Sequence, residues 1–180
     1  MQLLTLGHGT ASEVDLVALL RASDVRSAID VRSVPKSRAH QHVWAERMAQ
    51  WIPDLAGATY EWRKGLGGFR RPLPDSPNVV LRHPAFRGYA DYMQTPEFLA
   101  ELKALMAGAD STRTAIMCSE SLWWRCHRRL IADAATLLYG AEVMHIMHSG
   151  PLRPHVLTEG VRVLPEGILQ YDEGAHPLIP

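Results

Sequence analysis

The chain has 180 residues, of which 47% are hydrophobic, and its 19 basic residues balance its 19 acidic ones. This length and composition suit one globular domain with a substantial core. The net charge of zero gives no support to a general binder of nucleic acids or of membrane surfaces. No apolar run approaches the ~18 residues of a membrane span, and the start lacks the pattern of a signal peptide. With two cysteines and no export signal, we expect a cytoplasmic protein with reduced thiols.

The first part of the chain alternates short apolar runs with helical patterns. Residues 3–6 form an apolar run that Gly7 ends, and this predicts a buried first strand. Thr10 or Ser12 can cap the helix that follows, because a side-chain oxygen there accepts from the first free N–H groups. Residues 27–31 predict a second strand.

The middle of the chain is richer in loop signals. Residues 40–51 fit another helix, and residues 58–62 fit a third strand. Residues 63–96 contain many glycines and prolines and predict a long ordered loop region, with a short helix at 87–93. The threonine–proline pair at 95–96 is typical of a helix start.

The late part of the chain resumes the alternation. We predict a strand that ends at Met117, a helix from about Trp124, and a last clear strand at 142–147. The tail after Gly150 is rich in proline and glycine, with a helix or strand near 156–163.

Strands that alternate with helices predict an α/β fold, in which a mostly parallel sheet carries helices on both faces. We expect one domain over residues 1–180, with its core at about 3–147 and a C-terminal extension at 150–180. Ligands of such sheets bind at the carboxyl ends of the strands. Polar groups stand at or just past four predicted strand ends, namely residues 7–8, 30–32, 118–120 and 145–148. The sequence therefore predicts one site at this edge.

The two cysteines, Cys118 and Cys126, bracket the turn between the late strand and its helix. A thiol at a strand end, near helical N–H groups and arginines, should have a lowered pKa, which suits a nucleophile, a redox centre or a metal ligand. In our leading hypothesis Cys118 is the reactive thiolate, His127 or Glu120 moves protons, and Cys126 is a resolving or supporting thiol. The alternative is that both cysteines are small buried residues without a chemical role.

The same residue types also fit a metal site. Cys118, Glu120, Cys126 and His127, with His8, offer sulfur, oxygen and nitrogen donors that suit zinc or ferrous iron. Their spacing matches no zinc-finger pattern. A metal cofactor is therefore an alternative that the sequence raises but does not specify.

Several cations follow the predicted strands and favour an anionic ligand. Arg32, Arg38 and Arg128 can bind a phosphate or carboxylate through paired N–H groups, and Gly67 and Gly68 allow a ligand close to the backbone. The alternative is that these arginines only pair with acids of the chain. Aromatic residues near the cations are also typical of sites that stack on nucleic-acid bases. The predicted partner is therefore an anionic small molecule or a nucleic acid. Nothing indicates the oligomeric state.

Six motifs carry a resemblance to a known family. They are TLGHGT, DVRSVPKSR, LGGFRR, RGYADYM, CSESLWWRCHRRLIA and EVMHI, in this order over most of residues 3–147. The chain resembles the bacterial and archaeal family DUF488, a domain of unknown function. Gly9 stands where the family's usual form has a serine. The resemblance implies that the polar site positions are His8, Asp30, Arg32, Pro35, Arg38, Gly67, Gly68, Cys118, Glu120, Cys126, His127 and Arg128.

The sequence thus predicts an enzyme-like pocket with a reactive cysteine and an anion site at the edge of the sheet. Two alternatives stand beside it: a nucleic-acid-binding module without chemistry, and a metal-binding protein. Neither the motifs nor the family's name supplies a reaction, so whether the protein is an enzyme stays open at this point.

Overall fold

The computed structural model describes residues 1–173. A six-stranded sheet carries helices on both faces, as predicted. Its strands are β1 (Gln2–Gly7), β2 (Ser27–Asp30), β3 (Thr59–Trp62), β4 (Thr114–Cys118), β5 (Glu142–Ile146) and β6 (Arg153–Pro154). The helices are α1 (Glu13–Ala22), α2 (Ala45–Trp51), α3 (Pro84–Met93), α4 (Pro96–Ser111) and α5 (Arg128–Tyr139). A separate hairpin consists of β7 (Val161–Val163) and β8 (Leu169–Tyr171).

The order of the strands across the sheet is β3-β2-β4-β1-β5-β6. The first five are parallel, and only β6 runs antiparallel to its neighbour β5. Gly7 lies opposite Cys118, and Asp30 lies opposite Met117. The carboxyl ends of β1, β2 and β4 therefore meet at one edge of the sheet, where parallel α/β proteins bind ligands.

Successive side chains of the strands point to opposite faces, and each face has its own core. Leu4 and Leu6 of β1 pack with residues of α1 and α2, whereas Leu3 packs with residues of α3, α4 and α5. Cys118 and Cys126 lie in this second core. Because both faces are covered, all five residues of β4 are buried, as expected for a central parallel strand.

Local capping signals predict the starts of two helices. Ser12 caps α1 in a capping box with Asp15, and Thr95 caps α4 with Pro96 in its first turn. Because these signals depend on neighbours in the chain, the sequence locates the start of α4 and limits the cap of α1 to Thr10 or Ser12, of which the structure uses Ser12.

The predicted helix at 40–51 is interrupted. The chain makes a 3₁₀ turn at Gln41–Val43, and Trp44 is extended, with φ −68° and ψ 144°. Its indole N–H donates to the carbonyl of Ser37 over 2.7 Å, so α2 begins only at Ala45.

The late helix also begins later than predicted. A 3₁₀ turn occupies Trp123–Arg125, Cys126 is extended, and α5 starts at Arg128 rather than near Trp124. This delay leaves Cys126 and His127 in the connecting loop, where their side chains face the end of β4.

The long segment between β3 and α3 is held by Asp91, a buried residue of α3. Its carboxylate accepts hydrogen bonds from the backbone of Leu73, the hydroxyl of Ser76 and the amide of Asn78. The helix predicted at 87–93 begins three residues earlier, at Pro84. Asp91 therefore orders a loop, and it is absent from the lining of the cleft described below.

The tail completes the core on the side of α5. Leu169 and Tyr171 of β8 are buried, with 2% and 0% of their surface exposed. The region predicted as a helix or strand near 156–163 contains β7 at its end. None of the helices in residues 1–173 combines the length and the apolar character that crossing a membrane requires.

Candidate functional site

A cleft of about 560 Å³ opens at the carboxyl edge of the parallel strands. Its floor contains two thiols and an imidazole, and its walls combine cationic, polar and aromatic side chains. The lining residues used below are Arg32, Ser33, Val34, Lys36, Gly68, Phe69, Phe86, Cys118, Ser119, Glu120, Trp124, Arg125, Cys126 and His127.

The floor brings together Cys118, Cys126 and His127. Both cysteines are free thiols, with only 6% and 4% of their surface exposed. The Nδ1 atom of His127 lies 3.8 Å from the Sγ atom of Cys118 and 3.7 Å from that of Cys126. All three donor atoms fall within 4.8 Å of one another. The end of β4 and the loop before α5 are therefore close enough for the three groups to exchange a proton.

The backbone on the other side of the cleft fixes the orientation of His127. Its Nε2–H donates to the carbonyl of Val31 over 3.0 Å, which directs Nδ1 toward the two sulfur atoms. The ring also meets the ring of Tyr89 edge-on, with centroids 4.9 Å apart. Gly68 packs against this imidazole so closely that an added Cβ atom would lie 2.5 Å from Nδ1. Any larger residue at this position would displace the ring of His127.

The buried guanidinium group of Arg128 contacts the thiol of Cys126. Arg128 is 1% exposed, and its Nε–H donates to the Sγ atom of Cys126 over 3.4 Å. One Nη group donates to the hydroxyl of Thr5 over 3.5 Å, and the other donates to the backbone carbonyl of Glu120. Arg128 thus contacts one sulfur and two neutral oxygens, with Cys126 as the group able to carry its counter-charge.

The pKa values of the two thiols are shifted in opposite directions. The pKa of Cys126 lies well below its ordinary value, because its sulfur accepts a hydrogen bond from Cys118 and interacts with His127 and the Arg128 cation. The pKa of Cys118 lies well above its ordinary value, because Cys118 donates that hydrogen bond and is buried. The direction for Cys118 is opposite to the lowered pKa that the sequence predicts, and the lowered pKa falls on Cys126 instead. The sequence could not reveal this, since Arg128 reaches only one of the two sulfurs.

A second buried cation, Arg32, forms an ion pair with Asp30. The Nε–H of Arg32 donates to both carboxylate oxygens of Asp30, over 2.8 and 3.1 Å, and an Nη group donates to the carbonyl of Val43 over 2.8 Å. The hydroxyl of Tyr60 donates to the same carboxylate over 2.8 Å. Asp30 and Arg32 therefore form a hydrogen-bonded pair beside the cleft.

His8 contacts both the Asp30–Arg32 pair and the backbone at the end of β4. Its backbone N–H donates to the carbonyl of Cys118 over 2.9 Å, and its Nδ1–H donates to the carbonyl of Gly9 over 2.9 Å. Its Nε2 atom is free to accept from Arg32 over 3.3 Å. Burial lowers the pKa of His8 to about 4, so the ring is neutral at physiological pH.

Most of the predicted positions converge on this edge. His8, Asp30 and Arg32 lie on one side of the floor. Gly67 packs against Ser33, where an added Cβ atom would lie 2.6 Å from the Ser33 hydroxyl oxygen. Glu120 lines the cleft and accepts from the backbone N–H of Leu122 over 3.3 Å.

Three predicted ligand contacts are placed differently. Arg38 is exposed and absent from the lining of the cleft. The donors of Arg32 and Arg128 are largely taken by groups of the chain itself, so neither arginine is well placed to clamp an anion. The walls instead present Lys36 and Arg125. Phe86 and Ser33 also line the cleft; Ser33 follows the end of β2, whereas Phe86 lies in α3, away from any strand end.

Cys118, Cys126 and His127 are also the described residues whose donor atoms are grouped closely enough for a metal ion. The charges around them fit a metal less well. Arg128 has the sulfur of Cys126 as its one neighbour able to carry a negative charge, and the Arg32 cation is balanced by Asp30. A divalent ion held by two thiolates would leave the positive charge of Arg128 without a counter-charge in a buried position.

A chain of buried hydrogen bonds continues from Arg128 away from the cleft. The Thr5 hydroxyl donates to Nδ1 of His145 over 2.7 Å, and Nε2–H of His145 donates to Nδ1 of His155 over 3.1 Å. Nε2–H of His155 then donates to the carboxylate of Asp133 over 2.9 Å. His145, predicted at a strand end beside the site, therefore belongs to this internal chain.

The carboxylate end of that chain holds the tail of the protein. Asp133 also accepts from the backbone N–H of Thr158 and from the hydroxyl of Tyr171, each over 3.0 Å. Burial lowers the pKa of His145 to about 3, so its ring is neutral. The neutral ring of His145 and the ring of His155 thus lie between the Arg128 cation and the Asp133 carboxylate.

Comparison with known proteins gives one match. A family model described as a domain of unknown function, DUF488, matches residues 14–135. No curated protein and no solved structure matches the chain.

Proposed function

The chain belongs to DUF488, a family of domains of unknown function, and we propose that it is a cysteine-dependent enzyme whose nucleophile is the thiolate of Cys126. Its substrate is a small molecule that carries an acidic group and an apolar body. The sequence also suggests a reactive thiol and an anionic ligand. In this proposal the thiol is Cys126 rather than Cys118, and the cations that face the ligand are Lys36 and Arg125.

The contact between Arg128 and Cys126 carries the proposal. A thiolate is the reactive form of cysteine, and a fixed cation beside it keeps it deprotonated near neutral pH. Arg128 is buried, and its Nε–H group points at the Sγ atom from 3.4 Å. Two further hydrogen bonds hold the guanidinium, so the thiolate is stabilised without any movement of the protein.

His127 is suited to proton transfer. The bond from its Nε2–H to Val31 fixes the ring, and its Nδ1 atom lies less than 4 Å from each sulfur. A proton can therefore pass between Nδ1 and either thiol without a change of rotamer. Glu120, the other acid considered from the sequence, holds the turn at Leu122 instead.

The walls of the cleft support the choice of ligand. Lys36 is paired only with Glu46, over 3.8 Å, and both side chains are more than half exposed, so this pair is weak. Within residues 1–173 no carboxylate forms an ion pair with Arg125. Phe69 and Trp124 are exposed at 79% and 45% and supply apolar surface. These features favour an amphipathic anion over a long nucleic acid, because the chain as a whole is neutral.

The thiolate is tested by alkylation with iodoacetamide across a pH series, followed by peptide mapping. We expect the label on Cys126 at neutral pH, in the wild type and in Cys118→Ser, and no label on Cys118 in Cys126→Ser under the same conditions. Preferential labelling of Cys118, or no labelling of either thiol in folded protein, would contradict the proposal. Labelling that appears only after treatment with EDTA would instead support the metal alternative.

The ligand is tested by protection of Cys126 from alkylation. We expect phenyl phosphate to protect the thiol better than inorganic phosphate or phenol alone. The double variant Lys36→Met/Arg125→Met should lose this protection, whereas Lys103→Met, an exposed site on α4, should keep it. Protection by single-stranded DNA that weakens steeply with salt would favour the nucleic-acid alternative.

A further inference from the structure

We infer that the cleft reduces organic hydroperoxides that carry an acidic group, with Cys126 as the attacking thiolate and Cys118 as the resolving thiol. This inference rests on the proposed function and names its substrate class and its reaction. It is carried by the placement of the two thiols around one imidazole.

The chain has two cysteines in 180 residues, and the fold brings their sulfur atoms within 4.8 Å at the floor of one cleft. A thiolate that only forms a covalent intermediate with substrate needs no second thiol. A thiolate that is oxidised benefits from one, because a neighbouring thiol converts the oxidised sulfur into a disulfide before it is oxidised further. Cys118 is the one cysteine available for this within the chain.

The two thiols differ in the way that this chemistry requires. Cys126 faces Arg128, which stabilises its thiolate, whereas Cys118 keeps its proton. The Sγ atom of Cys118 lies 3.8 Å from Nδ1 of His127, which can accept that proton when Cys118 attacks. In this geometry Cys126 is the attacking sulfur and Cys118 is the resolving sulfur. The imidazole of His127 holds the proton that Cys118 releases.

The first step is attack by the Cys126 thiolate on the terminal oxygen of the hydroperoxide. A sulfur–oxygen bond forms and the oxygen–oxygen bond breaks, which gives a sulfenic acid on Cys126 and an alkoxide that takes a proton from water to become the alcohol. Two electrons pass from sulfur to the peroxide.

The second step closes the disulfide. Cys118 gives its proton to Nδ1 of His127, and its sulfur attacks the Sγ atom of Cys126. The sulfur–oxygen bond breaks, and the leaving hydroxide takes the proton from His127 to form water. An external dithiol then returns two electrons and two protons to the disulfide, which restores both thiols.

The walls of the cleft select among hydroperoxides. The cations Lys36 and Arg125 suit a carboxylate on the substrate, and the exposed rings of Phe69 and Trp124 suit an apolar chain. Hydrogen peroxide uses neither feature. A fatty-acid hydroperoxide uses both, because it combines a carboxylate with a long apolar body.

The experiment uses the full chain, reduced and freed of metal, with linoleic acid hydroperoxide as oxidant. Mass spectrometry without reductant should show a disulfide between Cys118 and Cys126 after a stoichiometric addition. In Cys118→Ser, dimedone should trap a sulfenic acid on Cys126, and in Cys126→Ser neither product should form. The double variant Lys36→Met/Arg125→Met should oxidise about 10-fold more slowly with the acid and at an unchanged rate with its methyl ester.

The outcomes separate this inference from the proposed function. If iodoacetamide modifies Cys126 at neutral pH while the hydroperoxide yields neither disulfide nor trapped sulfenic acid, the peroxide chemistry is overturned and the reactive thiolate stands. If neither reagent reacts, both fall. A disulfide that forms equally fast with hydrogen peroxide and with the acid would overturn the substrate class.

Discussion

The indole ring of Trp123 lies parallel to the imidazole ring of His145, with centroids 4.1 Å apart and planes inclined by 7°. The stack covers the hydrogen-bonded chain that runs from Arg128 to Asp133. In the sequence Trp123 stands beside the cations of the loop before α5, a setting that is typical of aromatic residues that stack on bases. In the structure one face of its indole is covered by the neutral ring of His145, and Trp123 is absent from the lining of the cleft.

Replacing Arg128 by methionine should raise the pKa of Cys126, because the fixed positive charge beside the thiolate is lost. A charge-assisted hydrogen bond is worth roughly 1.5–3 kcal/mol, so alkylation of Cys126 at neutral pH should slow by about 10- to 100-fold. The measurement is the alkylation rate as a function of pH, which should shift to higher pH. Arg129→Met, on the same helix turn, should leave the profile in place. An unchanged profile in Arg128→Met would show that the cation does not activate the thiol.

Replacing Gly68 by alanine should disturb His127, because the new Cβ atom would meet Nδ1 at 2.5 Å. We expect a loss of roughly 1–3 kcal/mol in the free energy of unfolding, as for other overpacked sites. Gly108→Ala is the matched control, since nothing lies within 4 Å of that position in α4. There alanine should stabilise the helix by about 0.5–1 kcal/mol. Urea denaturation of both variants checks the contrast, and equal effects would contradict it.

Acid should destabilise the protein through its buried histidines. Burial holds the pKa of His145 at about 3 and that of His8 at about 4, both below the ordinary value of 6.5. As the pH falls from 6.5 toward 4, the unfolded chain binds protons at these sites and the native protein does not. Each histidine should therefore lower the free energy of unfolding by about 1.4 kcal/mol per pH unit in this window.

The histidine contribution is measured as the slope of unfolding free energy against pH. His145→Gln should reduce the slope by about one proton, because glutamine does not titrate. The control is His83→Asn, which replaces an exposed imidazole at the start of α3 by another capping residue and should keep the slope. A slope that His145→Gln leaves unchanged would mean that His145 is protonated in the native protein.

Removing the carboxylate of Asp133 should cost more than removing any one of its partners. Asp133→Ala takes away the acceptor of three buried hydrogen bonds and leaves their donors without a partner, so we expect a loss of roughly 3–5 kcal/mol. Tyr171→Phe removes a single bond and should cost about 1 kcal/mol. Equal losses in chemical denaturation would contradict the role of Asp133 as the shared acceptor.

The sequence predicts the fold well wherever the signal is local. The strand at residues 27–31, the cap at Ser12 and the threonine–proline start of α4 all depend on neighbouring residues. The start of α5 was predicted too early because the sequence around Trp124 suits a helix. In the structure the chain turns at this point and extends at Cys126 before the helix begins.

The site was harder to predict than the fold, because charge pairing is a tertiary property. Residue types and strand ends are enough to place His8, Asp30 and the two thiols at one edge. They do not show that Asp30 occupies the guanidinium of Arg32, or that Arg128 contacts Cys126 and spares Cys118. The cations on the cleft walls, Lys36 and Arg125, stand in the same two motifs as Arg32 and Arg128. Only the structure shows which of them are left unpaired or weakly paired by the residues that it describes.

The position of Tyr171 bears on how the protein can be shortened. The matched family region ends at residue 135, yet Tyr171 is fully buried and its hydroxyl bonds to Asp133, inside that region. A fragment cut soon after the matched region would leave this acid facing solvent or unpaired among apolar side chains. Expression trials that keep the hairpin of β7 and β8 should therefore give soluble material, and shorter fragments should be lost to aggregation.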